Sequence, residues 1–184
     1  MNCLPSLVLL AALTAAVNAQ EKSKQPLSVV PAVDLIRYMG TWYEIARLPN
    51  SFQNACISDV TATYTLMDDG EIVVVNRCRK ENGEITEAEG RAKRASTDEP
   101  NTKLKVRFAP AILSFLPFVW GDYWIIDLSP DYTYAVIGEP DRKYLWILSR
   151  TPSMDEATLR VVLDAIKETG YDLAGLIKTV HTTK

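Results

Sequence analysis

Short segments in which apolar and polar residues alternate run through most of the chain. In residues 103–108, Leu104, Val106 and Phe108 alternate with three cationic side chains, a pattern typical of a strand with one buried and one solvated face. Turn signals such as Asp68-Asp69-Gly70 and Asn82-Gly83 join neighbouring segments as hairpins. This pattern predicts eight strands, at residues 41–48, 59–66, 71–79, 85–95, 103–108, 122–128, 133–139 and 144–150.

A meander of eight short strands predicts an all-β fold, an antiparallel up-and-down β-barrel. Closure of the sheet is favoured because it leaves no unpaired edge strand. A barrel of about eight strands has an interior of roughly the volume of one small ligand. The pattern therefore indicates binding rather than catalysis.

Helical periodicity is confined to two places. Residues 34–39 predict a single turn with Asp34 as its cap. A longer helix is predicted after the strands, from the capping box at 153–156 to Gly170, and we expect it to pack on the outside of the barrel. Its expected buried stripe is Ala157, Val161, Ala165 and Glu168, flanked by Val162 and Ile166. Residues 176–180 are a candidate ninth strand.

The N-terminus has the pattern of a secretory signal peptide. An apolar run at 7–16 is followed by Val17-Asn18-Ala19, where a signal peptidase needs small residues, and the run is too short for a bilayer span of about 20 residues. We therefore expect a signal peptide at 1–19, a polar, flexible lead-in at 20–33 and one domain at 34–184. The expected destination is the periplasm or outer membrane of a Gram-negative bacterium, or secretion.

The charge distribution and the cysteine content bear on which ligands and which chemistry are expected. The 20 basic and 23 acidic residues are interspersed, so the chain has no basic patch for nucleic acid. Cys3 leaves with the signal peptide, and Cys56 and Cys78 form an even pair in an exported chain. The pair predicts a disulfide; the alternatives are a reactive thiol or two metal ligands.

Catalytic chemistry has few candidate groups. His181 is the single histidine and lies in the polar tail, so a histidine base or a multi-histidine metal site is not predicted. Either cysteine would serve as a nucleophile only if unpaired. We accordingly predict no enzyme activity, catalytic residue, metal site or cofactor.

Three short motifs resemble those of the lipocalin family, most closely its bacterial lipocalin and apolipoprotein D branch. Gly40-Thr41-Trp42 is similar to the GxW motif, Pro130-Asp131-Tyr132 to the TDY motif with proline in place of threonine, and Arg150 to the arginine of the third motif. The resemblance implies a barrel closed at one end, where Trp42 plugs the base and the Arg150 guanidinium covers the indole. Gly40, Trp42, Asp131, Tyr132 and Arg150 are thus expected to be structural.

Strand alternation and the resemblance together predict the residues that line the cavity. On the first strand, Trp42, Glu44 and Ala46 are expected on one face and Tyr43, Ile45 and Arg47 on the other. The predicted ligand contacts are Tyr64, Val74, Asn76, Leu104, Val106, Tyr123, Ile125, Tyr144 and Trp146. This apolar lining suits a lipid or other small hydrophobic ligand with its polar head near the mouth. A fatty acid or a lysophospholipid is the favoured ligand. For each tyrosine, ordinary packing is the alternative.

An apolar loop at 109–119 is predicted beside the barrel mouth. It contains Ile112, Leu113, Phe115 and Leu116 between two prolines. Four roles are consistent with this sequence: a gate, a membrane-touching tip, a contact in a homodimer, or a loop folded back over the rim of a monomer. The rival functions are a membrane-associated stress or scaffold protein with an incidental cavity, and a lipocalin-fold enzyme that uses a cavity thiol.

Overall fold

A closed antiparallel sheet dominates the computed structural model, which describes residues 25–182. The predicted signal peptide and Cys3 lie outside these residues. β1 pairs with both β2 and β8, and each strand from β2 to β8 pairs with the strands next to it in sequence. The strands are β1 Gly40–Arg47, β2 Ser58–Leu66, β3 Ile72–Arg79, β4 Ile85–Arg94, β5 Lys103–Arg107, β6 Gly121–Leu128, β7 Tyr134–Gly138, β8 Leu145–Ser149 and the short β9 Ile177–Lys178. The predicted eight-stranded barrel is confirmed.

Two apolar cores share the barrel wall. The inner core fills the closed end and includes Trp42, Tyr64, Val74 and Ile125. The outer core lies between the barrel wall and the C-terminal helix α2 (Glu156–Glu168). Because side chains alternate along a strand, β7 and β8 contribute to both cores at once.

Helix α2 packs outside the barrel as predicted, but through a different stripe. Its N-cap is Asp155, whose carboxylate accepts a hydrogen bond from the Thr158 backbone N–H at 2.9 Å. The buried side chains are Leu159, Val162 and Ile166, whereas Val161 is 67% exposed. The expected stripe of Ala157, Val161, Ala165 and Glu168 was wrong, since all four are exposed, whereas the expected flanking residues Val162 and Ile166 are buried. The larger apolar side chain of Leu159 completes the buried face, so the helix is rotated by about one residue from the predicted orientation.

A single helical turn, α1 (Leu35–Tyr38), precedes the barrel. Asp34 caps it as predicted, accepting hydrogen bonds from the backbone N–H groups of Ile36 and Arg37. Residues 25–33 are the described part of the lead-in, and two of their apolar side chains, Leu27 and Val33, are buried in the outer and inner cores. The polar composition of the lead-in did not predict these contacts.

Strand β1 carries a bulge that changes which side chains face inwards. Its register with β8 shifts between Glu44 and Ala46, so one extra residue is accommodated there. Trp42 and Glu44 face the interior, Ile45 and Ala46 both join the outer core, and Arg47 pairs opposite the inward-facing Trp146. The strict alternation predicted for β1 was therefore wrong beyond Glu44.

The C-terminal segment fills a gap in the barrel wall. β1 pairs with β2 only from Gly40 to Tyr43, and beyond the bulge its free edge pairs with β9 instead. The backbone N–H of Asp59 in β2 donates to the Val180 carbonyl at 2.9 Å. The predicted ninth strand thus joins β1 to β2 where these two strands separate.

Cys56 and Cys78 form a disulfide, which confirms the predicted pairing. It joins the β1–β2 loop to the end of β3 and so fixes one side of the barrel mouth. No helix within residues 25–182 is both long and apolar enough to cross a bilayer.

Candidate functional site

The base of the barrel is sealed by Trp42 and Arg150. Trp42 is fully buried and donates its indole N–H to the Tyr38 carbonyl at 2.8 Å. The Arg150 Cζ lies 3.8 Å from the centroid of the Trp42 ring, a favourable cation–π distance. Gly40 has a φ of +93°, a conformation that favours glycine.

The Asp131-Tyr132 turn adjoins the same end. The Asp131 carboxylate accepts hydrogen bonds from the backbone N–H and the hydroxyl of Thr133. The Tyr132 hydroxyl accepts from the Asp34 N–H at 2.9 Å. Its ring lies 4.0 Å from the Arg37 Cζ. All five residues predicted from the motifs therefore meet around the closed end.

The predicted cavity residues face the barrel interior, but they differ in burial. Four of them are buried in the inner core: Tyr64, Val74, Leu104 and Ile125. Five are half-buried: Asn76, Val106, Tyr123, Tyr144 and Trp146. Since these five side chains point inwards, solvent reaches them from inside the barrel.

Small side chains account for this open interior. Ala62, Asn76 and Ala88 pair side by side across β2, β3 and β4. Ala88 is exposed although it faces inwards, and Ala62 and Asn76 are half-buried. The Asn76 amide has no hydrogen-bond partner among residues 25–182, so a polar group is presented to this space.

Three tyrosine hydroxyl groups meet above the sealed base. The Tyr123 hydroxyl lies 2.8 Å from that of Tyr38 and 2.9 Å from that of Tyr64. Burial raises the pKa of Tyr64 to about 12 and, as the largest cause, raises the pKa values of Tyr38 and Tyr123 well above the usual value. All three phenols are therefore neutral at physiological pH.

A polar network closes part of the mouth. The buried Glu44 carboxylate accepts from Arg47 Nη1 at 2.7 Å, from Gln53 Nε2 at 2.8 Å and from the Thr179 hydroxyl. Gln53 also accepts the indole N–H of Trp146 at 2.8 Å. The inward carboxylate predicted at Glu44 is thus held by an ion pair and hydrogen bonds, and it ties the mouth loop to the C-terminal segment.

Aromatic rings surround the opening beside this network. The Phe52 ring lies 5.3 Å from that of Tyr144 and 6.0 Å from that of Trp146. Phe52 is 62% exposed, so its ring faces solvent at the entrance. Sequence alternation did not identify Phe52, Gln53 or Tyr38, because none of them lies in a strand.

The apolar loop at 109–119 projects from the rim instead of folding back over it. Ile112, Phe115 and Phe118 are 80%, 75% and 81% exposed. Trp120 anchors the loop by donating its indole N–H to the Ser114 carbonyl at 2.8 Å. Leu113 is also exposed and Leu116 is half-buried.

Cationic side chains flank the anchoring indole. Lys93 Nζ lies 4.3 Å and Arg107 Cζ 5.1 Å from the centroid of the Trp120 ring. A separate shallow groove does not include the inward-facing residues and is lined by Asn54, Ala55, Ile57, Lys80, Glu81 and Asn82. Within the described chain, no cluster of three or more His, Cys, Asp or Glu residues is arranged to hold a metal ion.

Comparisons with known proteins extend over nearly the whole described chain. Residues 33–181 match the family model described as a lipocalin-like domain. The chain is 45% identical over 157 residues to temperature-induced lipocalin-1 of Arabidopsis thaliana, covering 85% of this chain and 83% of that protein. It is 42% identical over 158 residues to the outer membrane lipoprotein Blc of Vibrio cholerae, covering 83% and 86%.

An animal relative and a solved structure are also similar to this chain. Apolipoprotein D of Mus musculus is 32% identical over 155 residues, covering 79% of this chain and 76% of that protein. The crystal structure of insecticyanin from Manduca sexta superposes with a TM-score of 0.66 at 23% identity, covering 86% of each chain. At that identity the superposition shows the shared fold alone.

Proposed function

The chain belongs to the lipocalin family, and from this premise we propose that it is an exported protein that binds and carries a small hydrophobic ligand in its barrel. A fatty acid or a lysophospholipid is the proposed cargo. One observation carries the proposal: inward-facing side chains in the upper barrel remain accessible to solvent, while those at the base are buried.

The character of the lining supports an apolar cargo. The half-buried Val106 and Trp146, which pack against the inner core, offer apolar contacts, and each buried methylene of a ligand contributes about 0.8 kcal/mol. Apart from the Asn76 amide and the tyrosine hydroxyl groups above the base, the polar groups lie at the mouth, around Gln53 and Tyr144. This distribution favours a chain that inserts tail first and keeps its ionised head near solvent.

Catalysis has little support from the described residues, and we propose a carrier without enzyme activity. Cys56 and Cys78 are both held in the disulfide, so neither is a thiolate nucleophile. The rival enzyme function needed one of these thiols.

Binding to a delipidated sample tests the proposal. Hexadecanoic acid, palmitoyl lysophosphatidylcholine and retinol are titrated separately by calorimetry, and at least one of the first two is expected to saturate at one site. Asn76→Phe, which places a ring between Ala62 and Ala88, is expected to weaken binding at least tenfold. Arg77→Phe, on the outer face of the same strand, is the matched control and should bind as the wild type does.

Two results would count against a carrier. Failure of all three compounds to give a saturable signal favours the scaffold alternative. Equal affinity of Asn76→Phe and the wild type places the ligand outside the barrel.

We also propose that the exposed loop touches a lipid surface. Three large apolar side chains at its tip face solvent, and the exposed Lys93 beside Trp120 suits anionic head groups. The name of the Blc relative, an outer membrane lipoprotein, is consistent with a membrane setting. A gate or a dimer contact are the competing roles.

Vesicle flotation separates these roles. Phe115→Ser/Phe118→Ser is expected to lose binding to vesicles that contain anionic phospholipid. Ile36→Ser/Val161→Ser removes two similarly exposed apolar side chains elsewhere and should keep vesicle binding. If both variants float like the wild type, the loop is not the membrane contact.

Export is part of the proposal and has its own test. Expression of the full-length chain with N-terminal sequencing of the product should show a mature protein that begins at Gln20. A product that retains Met1 in the cytoplasmic fraction contradicts export.

A further inference from the structure

We propose that the hydroxyl groups of Tyr38, Tyr64 and Tyr123 form a binding site for a neutral oxygen atom at the buried end of the cargo. This inference rests on the proposed carrier function and narrows its ligand class. The site would take a hydroxyl or carbonyl oxygen carried by an otherwise apolar chain, in addition to any polar head at the mouth.

A count of protons supports the site. Three phenol groups carry three hydroxyl protons, and the two contacts to Tyr123 use two of them. No other hydrogen bond joins these hydroxyl groups to residues 25–182. One donor is therefore left for a partner that is not part of the described chain.

Differences in exposure place the free proton on Tyr123. Tyr38 is fully buried and Tyr64 is 6% exposed, whereas Tyr123 is half-buried. An unpaired donor costs least where it reaches the cavity, since a buried donor without an acceptor loses its hydration without compensation. Tyr38 and Tyr64 then donate to Tyr123, and Tyr123 directs its own proton to the space above.

The location of Tyr123 shows that this space lies inside the barrel. Tyr123 pairs opposite Leu104 of the inner core, and its ring lies 6.0 Å from the Tyr64 ring. Both contacts place Tyr123 on the inner face of the sheet, so its accessible surface lies on that face.

The surroundings favour a neutral acceptor over a carboxylate. Burial of an ion without a countercharge is costly. The interior charges Glu44 and Arg47 already neutralise each other at 2.7 Å. Arg150 lies against Trp42 at the base and donates to backbone carbonyl groups. A hydroxyl or carbonyl oxygen avoids this cost and still accepts the Tyr123 proton.

Matched pairs of probes test the site in protein purified from cells that express the full chain. Hexadecanoic acid is compared with 16-hydroxyhexadecanoic acid, and dodecanoic acid with 12-hydroxydodecanoic acid, so that the terminal hydroxyl group samples two depths. The measured quantity is the ratio of the two dissociation constants within each pair. For at least one pair, we expect Tyr123→Phe to reduce the preference for the hydroxylated acid about fivefold.

Two further variants isolate the cause. Tyr43→Phe removes a hydroxyl group on the face of β1 opposite the inward Trp42, where the Tyr43 ring packs against His181, and it should leave the ratio unchanged. Tyr64→Phe removes one proton and one hydrogen bond together, so Tyr123 keeps its free proton and the ratio should change less than in Tyr123→Phe. The two variants together separate loss of the Tyr123 donor from loss of a hydroxyl group elsewhere.

The outcomes for this site and for the carrier function are distinct. If the plain acids bind and Tyr123→Phe keeps the wild-type ratio at both lengths, the tyrosine site is overturned and the carrier function stands. If no acid binds the wild-type protein, the tyrosine site is overturned, and if palmitoyl lysophosphatidylcholine also fails to bind, the carrier function is overturned with it.

Discussion

The guanidinium of Arg150 covers the indole of Trp42 and donates hydrogen bonds to three backbone carbonyl groups. Its Cζ lies 3.8 Å from the ring centroid, and the acceptors are the carbonyl oxygens of Arg37, Tyr38 and Thr41. One side chain thus joins α1, β1 and the end of β8 at the base of the barrel.

Replacement of Arg150 should destabilise the fold strongly. We expect Arg150→Met to lower the free energy of unfolding by about 2–4 kcal/mol, because it removes a cation–π contact and charge-assisted hydrogen bonds. Arg150→Lys should recover only part of this loss, since an ammonium group cannot reproduce the planar fork. Urea denaturation measures both, with the exposed Arg160→Met as control, and equal stability of all variants would contradict this role.

The disulfide should stabilise the fold without taking part in binding chemistry. Its sequence separation is 22, and the chain-entropy model gives about 3 kcal/mol for a loop of this length. Cys56→Ser/Cys78→Ser should show that loss in urea denaturation and still bind the same ligand. Abolished binding in a variant that remains folded would reopen a functional role for the sulfur atoms.

Asp59 should make stability depend on pH in the acid range. Burial alone would raise the pKa of Asp59, but hydrogen bonds from Thr182 and Arg79 lower it to about 2, from 3.8. Because the folded-state pKa is depressed, this contribution is complete above about pH 4. It is lost as the pH falls towards 2.

A variant isolates the Asp59 contribution. Asp59 has a φ of 55°, which asparagine tolerates, so Asp59→Asn keeps the backbone conformation. We expect the free energy of unfolding of the wild type to exceed that of the variant by about 1 kcal/mol at pH 6, after allowance for solvent screening. This difference should shrink between pH 4 and 2. A difference that is constant with pH would contradict the assignment.

Gly138 leaves room for the Tyr171 hydroxyl group. A Cβ at Gly138 would lie 2.3 Å from that oxygen, which accepts from the Glu139 N–H at 3.0 Å. Gly138→Ala should therefore destabilise by about 2–3 kcal/mol. Tyr171→Phe removes the clashing oxygen. The stability losses of the two single variants should therefore add up to more than the loss measured for the double variant. Strict additivity in chemical denaturation would refute this contact.

Local patterns in the sequence predict most of the fold. The features that they miss depend on pairing between strands that are distant in the sequence. Turn signals and alternation locate the eight strands because both depend on residues close together in the chain. The bulge after Glu44 depends on how β1 pairs with β8 and β9, so alternation within β1 alone could not predict the inward turn of Arg47. The burial of Leu159 instead of Val161 on α2 likewise depends on the packing of the helix against the barrel wall.

The same distinction applies to the candidate site. Inward positions such as Tyr64 and Trp146 follow from strand parity. Tyr38 reaches the interior from α1, before the first strand, and its role depends on the hydroxyl groups of two strands distant in sequence. Its position within the predicted capped turn at 34–39 was the only local signal available.

Quenching by a brominated fatty acid tests the central claim, a ligand held inside the barrel, most directly. Trp146 faces the interior and Trp124 packs in the outer core. A dibrominated hexadecanoic acid should quench tryptophan fluorescence saturably in the wild type. Trp124→Phe should leave the quenched signal intact, and Trp146→Phe should remove much of it. Quenching that is lost in Trp124→Phe and kept in Trp146→Phe would place the ligand on the outer surface and contradict the account.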